Sequence, residues 1–218
     1  MKVKKELRKK VIKIIKELAK DKDKHKIAVQ PKAEPFKALV SCILSLRTKD
    51  EVTIEASKRL FKIASTPNDI MKLSIKRIEE LIYPVGFYKR KARTIKNIAK
   101  IIHQKYNDKV PNNINELIKI KGIGRKTANI VLSYAYGKAV IAVDTHVHRI
   151  SNRLGLVKTK TPEQTEQALM EIVPKKYRVL INELFVKHGK SICRPISPKC
   201  SICPISKYCK KVNVKKHR

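Results

Sequence analysis

The feature that most constrains the fold of this chain is the repetition of apolar residues at helical spacing, in segments that proline or glycine separates. The first stripe consists of Leu7, Val11, Ile14 and Leu18. Further segments of this kind lie at about residues 36–46, 50–63, 75–83, 89–106, 113–120, 125–136, 145–154, 162–172 and 176–187. The one run that could form a strand, AVIAVD at 139–144, is short and has no partner. We therefore predict an all-α fold of roughly ten helices.

The chain is strongly basic, with 52 Lys and Arg residues against 18 Asp and Glu residues and a net charge of +34 over 218 residues. Such an excess opposes compact folding by self-repulsion unless salt or an anionic partner offsets it. Nucleic acid and an anionic membrane surface are the usual partners, and no apolar run approaches the ~18 residues that a membrane span requires. The basic N-terminal segment also lacks the apolar core of a signal peptide. We expect an intracellular, cytoplasmic protein that binds nucleic acid at the nucleoid; a lysine-rich solvated surface, as in heat-adapted proteins, is the alternative.

Four cysteines with the spacing C-x6-C-x2-C-x5-C stand near the end of the sequence: Cys193, Cys200, Cys203 and Cys209. Four thiols so close together, in a chain expected in a reducing compartment, indicate a metal site rather than disulfides. The spacing alone admits either Zn²⁺ or an iron–sulfur cluster. The fifth cysteine, Cys42, falls in an apolar helical run, and we expect it to be an inert core residue.

A turn with two glycines, IKGIGRKTA, is followed at once by two cations. Gly122 and Gly124 permit a tight turn with positive φ and no Cβ. Such a turn leaves backbone N–H groups pointing outward beside the start of the next helix, where they bind phosphate without reading the base sequence. The two glycines alone are weak evidence, but Arg125, Lys126 and the net charge strengthen it. From residue type alone, both cations would be phosphate contacts.

The cysteine spacing with Pro204 after the third cysteine, the IKGIGRKTA turn and the sequence VDTH together resemble the endonuclease III family of DNA glycosylases, from about Pro35 to Cys209. The resemblance implies a [4Fe–4S] cluster rather than zinc at the four cysteines. It also implies that the glycine turn belongs to a helix–hairpin–helix motif that binds double-stranded DNA.

The same resemblance implies two helical lobes. Residues 28–138 would form a six-helix barrel domain, with the helix–hairpin–helix at 118–137. Residues 1–27 and 139–218 would together form a discontinuous iron–sulfur cluster domain. A groove between the lobes would hold a flipped nucleotide, and the cluster would mainly shape the loop that meets DNA.

The resemblance assigns chemistry to two side chains. Lys126 would be the nucleophile, whose neutral amine attacks the sugar C1′, expels the damaged base and leaves a Schiff base. Asp144 could be only a helix N-cap; the resemblance adds that it accepts a proton or stabilises positive charge on the sugar. β-Elimination from the Schiff base would then break the strand on the 3′ side. These roles imply a bifunctional DNA glycosylase and AP lyase of base excision repair, acting on oxidised pyrimidines such as thymine glycol.

Several further positions are implied to meet DNA. Arg47 stands where the family commonly has glutamine and would fill the gap left by the flipped base, while Phe87 would wedge beside the orphaned base. An aromatic side chain folded onto the core is the alternative for Phe87. Phosphate contacts are expected at Lys89, Arg90, Lys91, Arg93, Arg125, His146, Arg194 and Lys199. The cations at 89–93 could instead be a solvated face, and Arg194 and Lys199 could instead offset the charge of the cluster thiolates.

Two other functions remain open. Within the same fold, the substrate could be a mismatched T or U or an oxidised purine, since Arg47 departs from the family pattern; Lys126 argues against an enzyme without lyase activity. From another class, the chain could be a non-catalytic DNA-binding module with a zinc or cluster site. In each case we expect a monomer acting on duplex DNA, with no membrane partner.

Overall fold

The computed structural model describes residues 2–20 and 34–218, and all regular secondary structure within those residues is helical. The α-helices are α1 (Lys2–Ala19), α2 (Pro35–Ser45), α3 (Asp50–Ile63), α4 (Pro67–Lys72), α5 (Ile75–Ile82), α6 (Tyr88–Tyr106), α7 (Ile114–Lys119), α8 (Arg125–Tyr134), α9 (Thr145–Arg153), α10 (Pro162–Ile172) and α11 (Arg178–Ser191). Short 3-10 helices lie at Lys175–Tyr177 and Ser206–Tyr208. The predicted all-α class is confirmed, and the described residues 139–144 form no strand.

Capping residues mark several of the helix starts. Pro35, Pro67 and Pro162 occupy the first turn of α2, α4 and α10, where a missing N–H is tolerated. Thr66 and Thr161 close capping boxes in front of α4 and α10. Each such cap stabilises its helix by about 1 kcal/mol. Local residue type therefore accounts for where these helices begin.

Two helices differ from the predicted segments. Helix α4 was not predicted, because its only large apolar side chains, Ile70 and Met71, are adjacent in sequence and show no helical period. Helix α11 runs to Ser191, although Gly189 predicted its end near residue 187. Gly189 instead lies against the ring of His146, where a Cβ would collide with Nδ1. Close packing between α9 and α11 therefore explains the glycine that resembled a helix end.

Contacts divide the chain into two compact units, Met1–His25 with Ala139–Arg218, and Lys26–Lys138. In the first unit α1 packs against α10 and α11, and α9 packs against the same two helices. In the second unit α2 packs against α3, α6 and α8, while α4 and α5 pack against α6. The predicted boundary between residues 27 and 28 lies outside the described residues. The assignment of the units as a barrel domain and a cluster domain stays a prediction.

The residues singled out by sequence lie mostly in the connections between helices. Arg47 lies between α2 and α3, Phe87 between α5 and α6, and the glycine turn between α7 and α8. Asp144 immediately precedes α9, and the cysteine segment follows α11. Within the described part of the chain, no helix is both long and apolar enough to cross a membrane.

Candidate nucleic-acid interface and metal centre

The glycine turn joins α7 to α8, and its two glycines serve different purposes. Gly122 has φ +103°, and a Cβ there would lie 2.9 Å from Thr94 Cγ2, so both the backbone and the packing require glycine. Gly124 has φ −85°, a value open to any residue, so the prediction that both glycines use positive φ is wrong for Gly124. A Cβ on Gly124 would meet nothing within 4 Å. Its lack of a side chain therefore leaves open the surface in front of α8.

Helix α8 begins at Arg125 without a side-chain cap, so its start combines backbone N–H donors with the positive end of the helix dipole. Lys126, in the same turn, is half-buried. Its charge reaches the core thiol of Cys42 on α2: burial raises the pKa of that thiol, while Lys126 and a hydrogen bond with Thr127 lower it. Cys42 is 1% exposed, as predicted for a core residue. Lys126 therefore lies between a helix start that has no side-chain cap and the apolar core around Cys42.

Asp144 is the N-cap of α9. Its Oδ1 accepts hydrogen bonds from the backbone N–H groups of His146 and Val147, both at 2.9 Å. The residue is half-buried. The two bonds hold the carboxylate in one orientation, and they do so without requiring its charge, since a neutral acceptor also caps a helix.

His146 lies in the first turn of α9, and its ring contacts Arg149 of the same helix and Gly189 of α11. Its Nδ1 is 3.1 Å from Nη2 of Arg149, which also donates to the carbonyl of Cys193 at 2.9 Å. His146, Lys190 and Arg194 border one surface depression together with Gly189 and Pro195. The structure thus brings His146 and Arg194, both predicted to meet the DNA backbone, to one basic depression of the same unit.

The four cysteines of the C-terminal segment line a single cavity. They are free, half-buried thiols. Apolar side chains and cations complete the lining, among them Ile150, Leu154, Ile205, Val214, Arg153, Lys199 and Lys211. Arg153 Nη1 donates to Cys193 Sγ at 3.5 Å, and the N–H of Lys211 donates to Cys209 Sγ at 3.3 Å. In the residues that the structure describes, no group of three or more His, Cys, Asp and Glu side chains is arranged to hold a metal ion.

The cavity affects how the thiols ionise. Burial raises the pKa of the Cys203 thiol to about 11, and the neighbouring cysteines add to this shift. Burial also raises the pKa of Cys209. A cationic inorganic group bound to the thiolates would supply the charge that reverses these shifts. Lys199 lines this cavity, whereas Arg194 borders the surface depression, so the two predicted cations of the loop face different surroundings.

Arg47 and Phe87 lie side by side on the second unit. Both have left-handed backbone conformations, with φ 52° and 59°, which few residues other than glycine adopt. Phe87 is 61% exposed, so the alternative in which it folds onto the core is wrong. The guanidinium carbon of Arg47 lies 5.8 Å from the centre of the Phe87 ring. Two exposed side chains on left-handed backbone are thus presented together to solvent.

Lys91 is not the phosphate contact that the charge run predicted. It is only 6% exposed. Its Nζ donates to the carbonyl oxygens of Leu44 and Leu46 and to Thr48 Oγ1, at 2.7, 2.5 and 3.0 Å. The sequence carried part of the signal, because Lys91 shares one helical stripe with the apolar residues Ile95 and Ile98 of α6, but that stripe does not show which acceptors would bind a buried ammonium. Its neighbours in the run, Lys89, Arg90 and Arg93, are exposed.

Comparison with known proteins points to one family. Residues 40–175 match the HhH-GPD superfamily of base excision DNA repair proteins. Endonuclease III of Thermotoga maritima is 44% identical over 196 residues, covering 90% of this chain and 92% of that protein. Endonuclease III of Buchnera aphidicola subsp. Baizongia pistaciae is 40% identical over 174 residues, covering 80% and 81%. A solved structure of a trapped endonuclease III–DNA covalent intermediate with an estranged adenine matches with TM-score 0.82 and 35% identity, over 94% of this chain and 96% of that one.

Proposed function

The chain belongs to the HhH-GPD superfamily of base excision DNA repair proteins, and we propose that it removes oxidised pyrimidines from duplex DNA as a bifunctional DNA glycosylase and AP lyase. The observation that carries this proposal is the place of Lys126 in the first turn of α8, directly after the glycine turn. The turn binds the DNA backbone, and the amine beside it supplies the nucleophile that a glycosylase with lyase activity requires. The high identity to two endonuclease III proteins supports the same activity.

The reaction uses Lys126 twice. Its neutral amine forms a bond to C1′ of the damaged nucleotide while the C1′–base bond breaks, and the base leaves with the electron pair and takes up a proton. Opening of the sugar ring then gives a protonated Schiff base. Loss of the C2′ proton expels the 3′ phosphate, and water finally hydrolyses the Schiff base to release the enzyme. The lysine thereby links base removal to strand cleavage on the 3′ side of the abasic site.

Asp144 assists this reaction through its charge. As a carboxylate it accepts a proton or stabilises the positive charge that develops on the sugar. Its two hydrogen bonds from the start of α9 hold the carboxylate in one orientation. In this proposal the N-cap role and the chemical role belong to the same residue.

Several residues bind the DNA around the reacting nucleotide. Arg47 and Phe87 occupy the space left when the nucleotide leaves the stack. Phosphate contacts come from the glycine turn at Gly122 and Gly124, and from Lys89, Arg125, His146, Arg194 and Lys199. The partner is double-stranded DNA with a damaged base or an abasic site. The protein binds it as a monomer, in the cytoplasm at the nucleoid.

The four cysteines would hold a [4Fe–4S] cluster. Four thiolates are the usual ligand set for such a cluster, and all four line one cavity that also contains Arg153, Lys199 and Lys211. These cations offset the negative charge of thiolate ligands. When bound, the cluster supplies a rigid inorganic core for the loop rather than a reactant for excision. The purified protein should therefore absorb near ~400 nm, and Cys203→Ser should reduce both this absorbance and the iron content.

Covalent trapping tests the reaction. The protein is incubated with a duplex that contains one thymine glycol, borohydride is added, and protein–DNA adducts are resolved by electrophoresis. Wild type should form an adduct and Lys126→Gln should form none. Arg125→Gln is the matched control: it should need more protein to bind but should still form the adduct, because it keeps the amine.

Further substrates decide between the alternatives. Trapping on an abasic site but not on thymine glycol would leave the lyase chemistry intact and show that the substrate class is wrong. Because Arg47 stands in place of the family glutamine, duplexes with a G·T mismatch or an oxidised purine should be tested in parallel. If no DNA forms an adduct, Lys126 is only a phosphate contact and the chain acts as a binding module.

A further inference from the structure

Lys91 lies beneath the turn that carries Arg47, at the end of α2. The last carbonyl groups of a helix have no partner within the helix. Lys91, on α6, supplies donors to two of them, the carbonyls of Leu44 and Leu46. It is thus a buried cation that meets uncharged acceptors on a segment more than 40 residues away in sequence.

Thr48 extends this contact to the loop of Phe87. Its Oγ1 accepts from Lys91 Nζ at 3.0 Å and from the backbone N–H of Gly86 at 3.1 Å, and it donates to the Leu46 carbonyl at 3.3 Å. A Cβ on Gly86 would lie 2.7 Å from the Arg47 carbonyl oxygen, so this close approach of the two backbones requires glycine at residue 86. One lysine and one hydroxyl therefore join the loop of Arg47 to the loop of Phe87.

The conformations of the two loops need such support. Arg47 and Phe87 both have positive φ, at 52° and 59°. Non-glycine residues keep this conformation only where surrounding contacts determine it, and such residues concentrate at functional sites. The cation–π contact between the two side chains is exposed and weak. The hydrogen bonds of Lys91 to Leu44, Leu46 and Thr48 hold the end of α2, and the bond from Gly86 to Thr48 connects this contact to the loop of Phe87.

We propose that Lys91 is a positioning residue that joins the loops of Arg47 and Phe87 into one wedge, so that both side chains enter the gap in the DNA together. The inference rests on the proposed function only in taking these two side chains as the residues that fill the gap. Burying an ammonium opposes folding, and it is compensated here by three hydrogen bonds that an apolar side chain could not make. Without Lys91 the two loops would keep their sequences but move independently.

A binding measurement without chemistry tests the coupling. The full-length protein is added to a duplex that contains a tetrahydrofuran abasic analogue opposite 2-aminopurine, whose fluorescence reports unstacking. Wild type at saturation should change the fluorescence, and Lys91→Met should reduce that change by roughly tenfold. Lys100→Met is the matched control, because Lys100 is an exposed lysine on the same helix, and it should behave as wild type. Lys91→Arg should restore part of the signal.

A second variant covers the case in which Lys91→Met does not fold. Thr48→Val preserves the shape of residue 48 but removes the acceptor that Lys91 and Gly86 share, and it should give an intermediate fluorescence change. Circular dichroism establishes that each variant is folded. If both folded variants give the full wild-type signal, the two loops are not coupled through Lys91 and the proposal is wrong. The proposal also fails if wild type itself gives no signal, because the two side chains then do not enter the DNA.

Trapping on single-stranded abasic DNA separates this proposal from the proposed function. No gap opens opposite a complementary strand in this substrate, so the wedge is not needed. On this substrate the adduct yield of Lys91→Met should be within about twofold of the wild-type yield. Its rate of base excision from duplex DNA should fall by roughly tenfold or more. An equal loss on both substrates would show that Lys91 acts through the whole fold. If wild type traps on neither substrate but Lys91→Met still loses fluorescence, the glycosylase assignment fails and the coupling stands.

Discussion

Two lysines show how differently one side chain is used within the same unit. Lys91 is 6% exposed and its ammonium is bound by three uncharged oxygens. Lys126 is half-buried at the start of α8. In the sequence each is one of many lysines in basic runs. The glycine turn before Lys126 predicted a phosphate-binding position, and its role as nucleophile is implied only by the family resemblance and stays a prediction. The burial of Lys91 depends on residues of α2 that lie far away in the sequence.

Asp144 allows its capping role and its proposed chemical role to be separated. Asn caps a helix about as well as Asp does, but it carries no charge. Asp144→Asn should therefore change the free energy of unfolding by less than ~0.5 kcal/mol, while lowering the single-turnover excision rate by roughly 10²-fold. Asp144→Ala should also lose about 1 kcal/mol of stability. An Asn variant with the wild-type excision rate would reduce Asp144 to a helix cap.

The ionisation of Lys91 should be visible in protein stability. Burial lowers its pKa from the ordinary value of 10.5 to about 8. Between these values the unfolded chain binds more protons than the folded chain, so the contribution of Lys91 to the free energy of unfolding rises with pH. Urea denaturation should show wild type gaining stability relative to Lys91→Met between about pH 8 and pH 10.5. A difference that does not vary with pH would mean that folding does not desolvate the ammonium.

At the scale of an element, the hairpin between α7 and α8 shows that two neighbouring glycines need not act alike. Gly122 has the positive φ that the turn requires, and its missing Cβ makes room for Thr94 on α6. Gly124 has an ordinary φ and faces open space in front of α8. The first glycine therefore serves the fold, and the second leaves the helix start accessible to a phosphate.

Alanine substitutions should distinguish these two roles. Gly122→Ala should lower the free energy of unfolding by about 1–2 kcal/mol, because it places a Cβ at positive φ and against Thr94. Gly124→Ala should change stability by only a few tenths of a kcal/mol, about as little as other substitutions without strain, yet should weaken DNA binding because its methyl group covers the helix start. Thermal melts and fluorescence anisotropy measure the two effects. Equal losses of stability in both variants would contradict this division.

At the scale of the whole molecule, charge dominates. With 52 Lys and Arg residues against 18 Asp and Glu residues, 52 − 18 = 34 cations cannot be neutralised within the chain. Several ion pairs in the described part of the chain lie on the surface, such as Lys58 with Glu55 and Arg77 with Glu80. Such pairs contribute little to stability. The excess charge is therefore available to bind DNA phosphates and to speed association.

Salt dependence should identify which cations contact phosphate. The logarithm of the affinity for duplex DNA should fall linearly with the logarithm of the salt concentration, and each phosphate contact contributes about 0.9 to the slope. Arg194→Ser should reduce the slope by about 1. Lys58→Ser removes the same charge from a residue that pairs with Glu55, and it should leave the slope unchanged. Identical slopes for wild type and Arg194→Ser would place Arg194 away from the DNA.

Several features of this protein could be determined from sequence because they depend on neighbouring residues. The apolar spacing predicted most helices, and Gly122 marked a turn that requires glycine. The cysteine spacing indicated the candidate metal centre, and the motifs together indicated the family. Each of these signals is contained within a few residues, so no knowledge of distant contacts was needed.

Only the tertiary structure decided the features that depend on residues distant in sequence. Gly189 resembled a helix end, but it makes room for His146 of another helix. Phe87 is exposed rather than packed on the core, and Lys91 is buried beneath α2 rather than available to phosphate. Burial and hydrogen-bond partners follow from which helices meet. The local pattern of charge and hydrophobicity does not contain that information, because the same lysine is stable in water or beneath a helix end that lacks donors.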